Sequence, residues 1–397
     1  MYKRQEPTQT HFISVASGHF RFKQHSPVGE IRVPGDFEAH DYLLMSVGDA
    51  TLEFAETVAS IVKHASARIR IALIVNDRFD YEFLQNKLTN ANCQLDRVTF
   101  LHVDHDTRWV RDYGPTSLIV KRKSRWLDWC YDSTRARDDE IPGALLDQAH
   151  SDYEFVPLAL EGGNLLSNGD GVVVTSNKIF EANRNTYTAE QIVGGLARTL
   201  NASDVVVLEP LEGEVAQHVD MFATFVSART VFVGSYDPQV DPVNSAILDR
   251  NAARLQGVTT QNGKRLRVIR IPMDAHEDGN WRTYTNCIYA NGVVLVPRYD
   301  RSSRDTLNQI VRTYQNYLPG WHIELVDSTE LIGRGGALRC ASLGLKGIRS
   351  RLVSVDPEQL PGFFDGEPGF PDDDGSSSHA DKSRNIRVTE SENEILR

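Results

Sequence analysis

Apolar positions along this chain alternate between a helical and a strand period. From Asp49 to His64, Leu52, Ala55, Val58, Ala59 and Val62 fall on one helical face. Ile69, Ile71, Leu73 and Val75 then occupy every second position, predicting a strand over Arg68 to Val75. A second helix is expected over Phe79 to Ala91, followed by a strand around Val98 to Val103. The alternation returns with a helix from Thr188 to Leu200 before the strand Val205 to Leu208. It returns again with a helix from Arg304 to Tyr317, stopped near Pro319-Gly320, before the strand Ile323 to Val326. Gly29 to Gly35 and Gly257 to Gly263 read as turns. Residues 1 to 35 are mixed, and the alternating patches from Phe12 to Phe22 either pair with a sheet edge or form a loop.

Strands separated by single helices define an α/β protein, and no break in composition divides the middle of the chain. Periodicity alone leaves a doubly wound sheet as acceptable as a repeated arrangement. One domain is expected over residues 1 to 357. Residues 358 to 397, with Pro368-Gly369-Phe370-Pro371 and Asp372-Asp373-Asp374, lack either period and are expected to form a flexible acidic tail. The net charge of −11 reflects that end: Asp356 to Arg397 holds eleven acidic and four basic residues, leaving −4 for the rest. Such a balance offers no broad attraction to nucleic acid or an anionic membrane.

The N-terminus lacks a signal peptide's apolar segment, and no stretch approaches a membrane span. Four dispersed cysteines, at 93, 130, 287 and 340, suggest neither a disulfide framework nor a zinc ribbon. A cytoplasmic location is the expectation; the oligomeric state is not legible.

Cys340 ends the run Gly333-Arg334-Gly335-Gly336-Ala337-Leu338-Arg339-Cys340, whose glycines imply a tight turn that a simple core cysteine does not need. His218 and Asp220, two residues apart, share a face if their segment is extended and diverge if it is helical. Asp112 sits in Arg111-Asp112-Tyr113-Gly114-Pro115 before a strand from Thr116 to Val120, and Arg111 is free to pair with another carboxylate. In Glu161-Gly162-Gly163-Asn164 the missing side chains admit either an ordinary turn or a backbone approaching a ligand. Asn286 either supports a pocket or caps a strand, while Cys287 reads as structural. A thiol, an imidazole and carboxylates together suit attack on a cationic guanidinium. His276-Glu277-Asp278 and His102-Val103-Asp104-His105-Asp106 collect potential metal ligands but lack the zincin spacing, and neither a dinucleotide fingerprint nor a phosphate loop occurs.

At Thr107-Arg108-Trp109-Val110-Arg111-Asp112-Tyr113-Gly114-Pro115, Glu161-Gly162-Gly163-Asn164, His218-Val219-Asp220-Met221-Phe222, Tyr284-Thr285-Asn286 and Gly335-Gly336-Ala337-Leu338-Arg339-Cys340, the chain resembles the agmatine and bacterial peptidylarginine deiminases of the guanidine-modifying superfamily. The likeness runs from Pro34 to about Leu345. It implies a five-bladed α/β propeller, pentein-like, with modified ββαβ units around a central active site. It implies Cys340 as nucleophile, His218 as acid/base, and Asp112 and Asp220 as guanidinium-binding carboxylates. Glu161, Gly162, Gly163, Asn286 and Trp109 then line the substrate pocket, with no metal or organic cofactor. Asp41-Tyr42-Leu43-Leu44-Met45-Ser46 and Thr107-Arg108 depart from agmatine deiminases, which carry an aromatic-rich entrance and an acidic stretch there. The implied reaction is hydrolytic deimination, of agmatine first, then of peptidyl or free arginine to citrulline. Amidino transfer and noncatalytic guanidinium binding are the remaining alternatives.

Overall fold

The structure is a computed structural model that describes residues 11–15, 19–23, 31–48, 51–121, 123–348 and 350–362. Its strands fall into five separate sheets. Each sheet repeats one pattern: an antiparallel pair, a helical crossover, then a strand parallel to the second of the pair. Ala223–Ser227 pairs antiparallel with Thr230–Ser235, and helix Pro242–Gln256 leads to the parallel Arg267–Pro272. Ile288–Tyr289, Val293–Arg298, helix Arg304–Tyr317 and His322–Asp327 repeat it. So do Thr116–Val120, Lys123–Cys130, helix Ala136–Ala149 and Asp152–Ala159. Leu166–Ser167 and Val172–Ser176 form the next pair, crossing through helix Ala189–Thr199 to Asp204–Leu208.

The fifth unit draws on both halves of the chain. Ser342–Leu345 pairs antiparallel with Tyr42–Ser46, which crosses through helix Thr51–Ala65 to Arg70–Val75 and on through helix Arg78–Asn90 to Val98–His102. The doubly wound alternative is therefore excluded. That fold extends one sheet by successive crossovers, whereas here every unit starts a new antiparallel pair. The protein has an α/β fold of five ββαβ-like sheet units, and no sheet among the described residues closes on itself.

Helix and strand signals read from sequence lie within a few residues of these bounds. Helix Ala189–Thr199 starts at a reciprocal cap, in which Thr188 accepts from Gln191 N and the Gln191 side chain accepts from Thr188 N. Residues 11–15 and 19–23 form a hairpin on a sheet edge, with Phe22 opposite Val205, so of the two readings of the N-terminal patches the edge pairing holds. Helices cover the sheets: Val58 and Val62 share a core with Leu43, Met45 and Leu73, and Leu248 and Tyr314 share another with Phe222 and Phe232. Each such large side chain contributes roughly 1.5–3 kcal/mol by leaving water. Leu360 is buried in the first of these cores, so packing continues past residue 357; the remainder of the expected tail, residues 363–397, lies outside the described residues. Among the described residues no helix is long and apolar enough to cross a membrane.

Candidate active site

The segment that precedes the first strand of each unit carries one of the sequence-selected groups. Trp109 and Asp112 lie before Thr116–Val120, Glu161 before Leu166–Ser167, and His218 and Asp220 before Ala223–Ser227. Asn286 lies before Ile288–Tyr289 and Cys340 before Ser342–Leu345. Five equivalent junctions thus supply the cluster, which explains how residues so far apart in sequence meet.

Cys340 is 3% exposed, and its Sγ lies 3.2 Å from Asn286 Nδ2 and 4.0 Å from Asp220 Oδ2. The other end of the Asn286 carboxamide accepts from Arg339 N at 2.8 Å and from Cys340 N at 3.2 Å. Asn286 therefore holds the thiol and the turn that presents it, which is more than a strand cap. Cys287 faces the other way, its sulfur accepting from the Tyr314 hydroxyl in a packed core. Trp109 packs beside the same turn: a Cβ at Gly336 would lie 2.6 Å from its ring, and the Arg108 guanidinium stands 5.7 Å from the ring centre.

His218 is 2% exposed and bonded through Nε2 to Glu161 Oε2 at 2.7 Å, with Nδ1 3.5 Å from Asp112 Oδ1. Asp112 Oδ1 accepts from Gly163 N at 3.0 Å. Of the two readings of His218 and Asp220, the helical one, in which they diverge, holds. Only His218 is extended; Val219–Met221 turns as a short 3-10 helix. Consequently His218 faces Asp112 and Glu161, while Asp220 faces Cys340 and Arg339.

The two glycines after Glu161 make room for protein groups. A Cβ at Gly163 would run into His218 Nδ1 and lie 2.6 Å from Asp112 Oδ1; one at Gly162 would collide with Arg111 O. Gln217, just before the imidazole, has φ of +56°, a left-handed conformation uncommon for a residue with a side chain.

Three cations thread through the carboxylates. Arg339 donates through Nε to Asp36 Oδ2 and through Nη1 to Asp220 Oδ2, both at 2.8 Å. Arg111 turns from the cysteine side to Asp36, with Nη1 3.7 Å from Oδ1. Lys178 pairs with Glu161 and sits 3.2 Å from His218 Nε2. Of these, sequence reading reached only Arg111. Arg339 was visible as the neighbour of Cys340, but nothing in the chain said which carboxylate it meets. Lys178 opens a helix of its own and bears no motif.

Burial works against charge throughout, and the partners decide the outcome. Burial would lower His218, but the Asp112 and Glu161 carboxylates push it up to about 9. Burial raises Asp112 to about 6 despite the opposing pull of His218. Glu161 is drawn down to about 2, its burial outweighed by His218 and Lys178. Burial, reinforced by the Asp220 and Asp112 charges, pushes the Cys340 thiol well above its ordinary range. The resting group is a thiol.

Three of the residues weighed as metal ligands make contacts with protein groups. His276 bonds to Asp241 at 2.8 Å and stacks on Trp281, and Asp278 pairs with Arg282 and Arg301. His105 accepts from Gly48 N at 2.9 Å.

An α/β fold with a thiol, an imidazole and carboxylates at the junctions of five ββαβ-like units defines the guanidine-modifying class. Residues 32–345 match the Porphyromonas-type peptidyl-arginine deiminases, and the chain belongs to that family. The agmatine deiminase of Ectopseudomonas mendocina is 25% identical over 325 residues, covering 72% of this chain and 86% of that protein. Among solved structures, the C. jejuni agmatine deiminase superposes with a TM-score of 0.68 at 20% identity, over 85% of this chain and 99% of the other. The Enterococcus faecalis agmatine deiminase gives 0.71 at 22% identity, over 81% and 97%. At these identities the structural likeness carries the fold.

Proposed function

We propose that this protein hydrolyses a guanidino group, releasing ammonia and a ureido product, with Cys340 as nucleophile and His218 as acid and base. The reading places the five units as blades around this centre, in one catalytic domain followed by the acidic tail. The observation that carries it is a buried carboxylate oxygen beside the thiol, Asp220 Oδ1, that lacks a hydrogen-bond partner among the described residues. An unsatisfied buried carboxylate oxygen is costly. A guanidinium N–H is the complementary donor, and its positive charge answers the acidic surroundings.

The substrate cation favours the thiolate that burial and the neighbouring carboxylates disfavour. Sulfur then bonds to the guanidinium carbon, giving a tetrahedral adduct. Protonated His218 gives its proton to one amino nitrogen, the C–N bond breaks, and ammonia departs carrying the thiol's proton as ammonium, which leaves His218 neutral. A positively charged S-linked thiouronium remains on Cys340. Water attacks the same carbon while His218 accepts its proton, the C–S bond breaks, and the ureido product leaves with the thiol restored. Asp112 and Asp220 hold the cation, and Glu161 orients the imidazole.

Agmatine, giving N-carbamoylputrescine, is the first substrate, supported by relatives that carry that name. Peptidyl or free arginine, giving citrulline, is the second reading. It is favoured by the family description. The test is ammonia release from each substrate without added nucleotide or metal, with kcat/KM compared across agmatine, arginine and short arginine peptides. Mass spectrometry of a quenched reaction is expected to find an amidino-containing group on Cys340, and Cys340→Ala to abolish turnover. Full activity in Cys340→Ala overturns the assignment; product only with a second amine means amidino transfer.

A further inference from the structure

At the other end of the sheet that carries Cys340, four arginines line one cavity of about 400 Å³: Arg68, Arg70, Arg97 and Arg351. Tyr42, Arg70 and Val98 begin the three parallel strands there, whereas Cys340 precedes Ser342, which pairs with Met45 toward the opposite end. The groove is thus separate from the candidate active site.

None of the four guanidiniums is paired with a carboxylate among the described residues. Arg97 donates to Ser66 O at 3.1 Å and Arg351 to Asp96 O at 3.4 Å. The Arg70 guanidinium stands 5.9 Å from the Tyr42 ring centre. Asp41 is the carboxylate lining the groove, and its Oδ2 is already taken by Gly347 N and Ile348 N at 2.7 and 3.2 Å. Elsewhere this acidic chain matches its surface arginines readily: Arg250 sits on Glu209, Arg270 on Asp249 and Arg334 on Glu53. Four clustered cations sharing one lining carboxylate, and none ion-paired among the described residues, in a chain of net charge −11, are therefore the groove's distinguishing chemistry.

The wall of the groove is fixed in place. Asn291 ties both strands of it together, accepting from His40 N at 2.9 Å and donating to His40 O at 2.9 Å and Arg68 O at 3.4 Å.

We infer that this groove binds a small anion carrying two or more phosphate groups. A guanidinium presents a planar fork that matches two phosphate oxygens, and four forks exceed what one carboxylate can engage. The cavity volume suits a small molecule. An extended polyanion is disfavoured, because beyond the groove it meets a chain of net negative charge.

Calorimetric titration of the full chain with inorganic pyrophosphate tests this. The expected result is one site per chain and a raised melting temperature. Binding is expected to weaken about tenfold for each guanidinium removed in Arg70→Ala and Arg351→Ala, and to weaken at high salt. Both arginines are exposed, so the variants are expected to fold and to keep the ammonia-releasing activity. Absence of binding in wild type overturns the assignment. So does undiminished binding in the double variant, which places the anion elsewhere, or preference for an aspartate-rich peptide over pyrophosphate. The readout is independent of turnover, so its failure leaves the reading of Cys340 untouched.

Discussion

Arg339 donates to Asp220 Oδ2 at 2.8 Å from the position immediately before the nucleophile candidate. A protein guanidinium therefore already occupies half of the carboxylate expected to hold a substrate guanidinium. Asp220 can offer a substrate one oxygen, Oδ1, and the paired grip expected of an isolated carboxylate is not available there.

Replacing Arg339 separates stability from binding. Arg339→Met strands Asp36 and Asp220 without their cation and is expected to cost about 3–5 kcal/mol, read by urea denaturation. Arg339→Lys keeps the charge but cannot reach both carboxylates with one planar fork. It is expected to fold and to raise KM about tenfold. An unchanged KM in the lysine variant means that Arg339 does not set the orientation of Asp220.

Gly163→Ala places a methyl group against His218 Nδ1 and Asp112 Oδ1. A stability loss of about 1–3 kcal/mol is expected from overpacking. The displacement of the imidazole is expected to lower kcat about a hundredfold. Steady-state kinetics on the folded variant decide this, and near-normal kcat shows that the loop yields instead.

The imidazole gives the fold a pH signature of definite sign. His218 rises from 6.5 in the unfolded chain to about 9, so its stabilisation is full below pH 6.5 and is lost as pH climbs toward 9. Asp112, raised to about 6, acts in the same direction over a lower window, because the folded state favours its protonated form. Glu161, held low, acts oppositely and is lost only as pH falls toward 2. Thermal denaturation between pH 6.5 and 8.5 is expected to show a declining melting temperature that flattens in His218→Gln. A slope retained in that variant assigns the titration to another group.

Gln217 tests whether backbone strain positions the imidazole. Its left-handed φ costs a residue with a side chain about 1 kcal/mol, a cost that glycine escapes while losing more chain entropy on folding. Gln217→Gly is expected to match wild type within about 1 kcal/mol and to stay active. Gln217→Val, whose branched Cβ disfavours that conformation, is expected to lose about 2 kcal/mol and to lower kcat. Equal stability of the two variants removes the strain argument.

Local pattern was enough for the elements whose apolar residues carry a clean period. Helix Arg304–Tyr317 was legible to the residue because it presents one face to a core, and the strands Arg70–Val75 and Val98–His102 nearly so because they are short apolar runs buried on both faces. Helix Ala136–Ala149 escaped, since Pro142 stands inside it and its first turn is acidic rather than periodic. The identities of the thiol, imidazole and carboxylates were likewise present in the chain, each beside a glycine-rich or polar turn. Tertiary structure decided what those groups touch. The ion pairs of Arg339 with Asp36 and Asp220 span 303 and 119 residues, and that of Lys178 with Glu161 joins a junction to the crossover of its own unit. Sequence fixes short-range periodicity through the pitch of helix and strand, but a salt bridge depends on which junctions the five sheets bring together. The same reason kept the division of the Asp220 carboxylate, one oxygen for the protein and one left unpaired, out of reach until the fold was known.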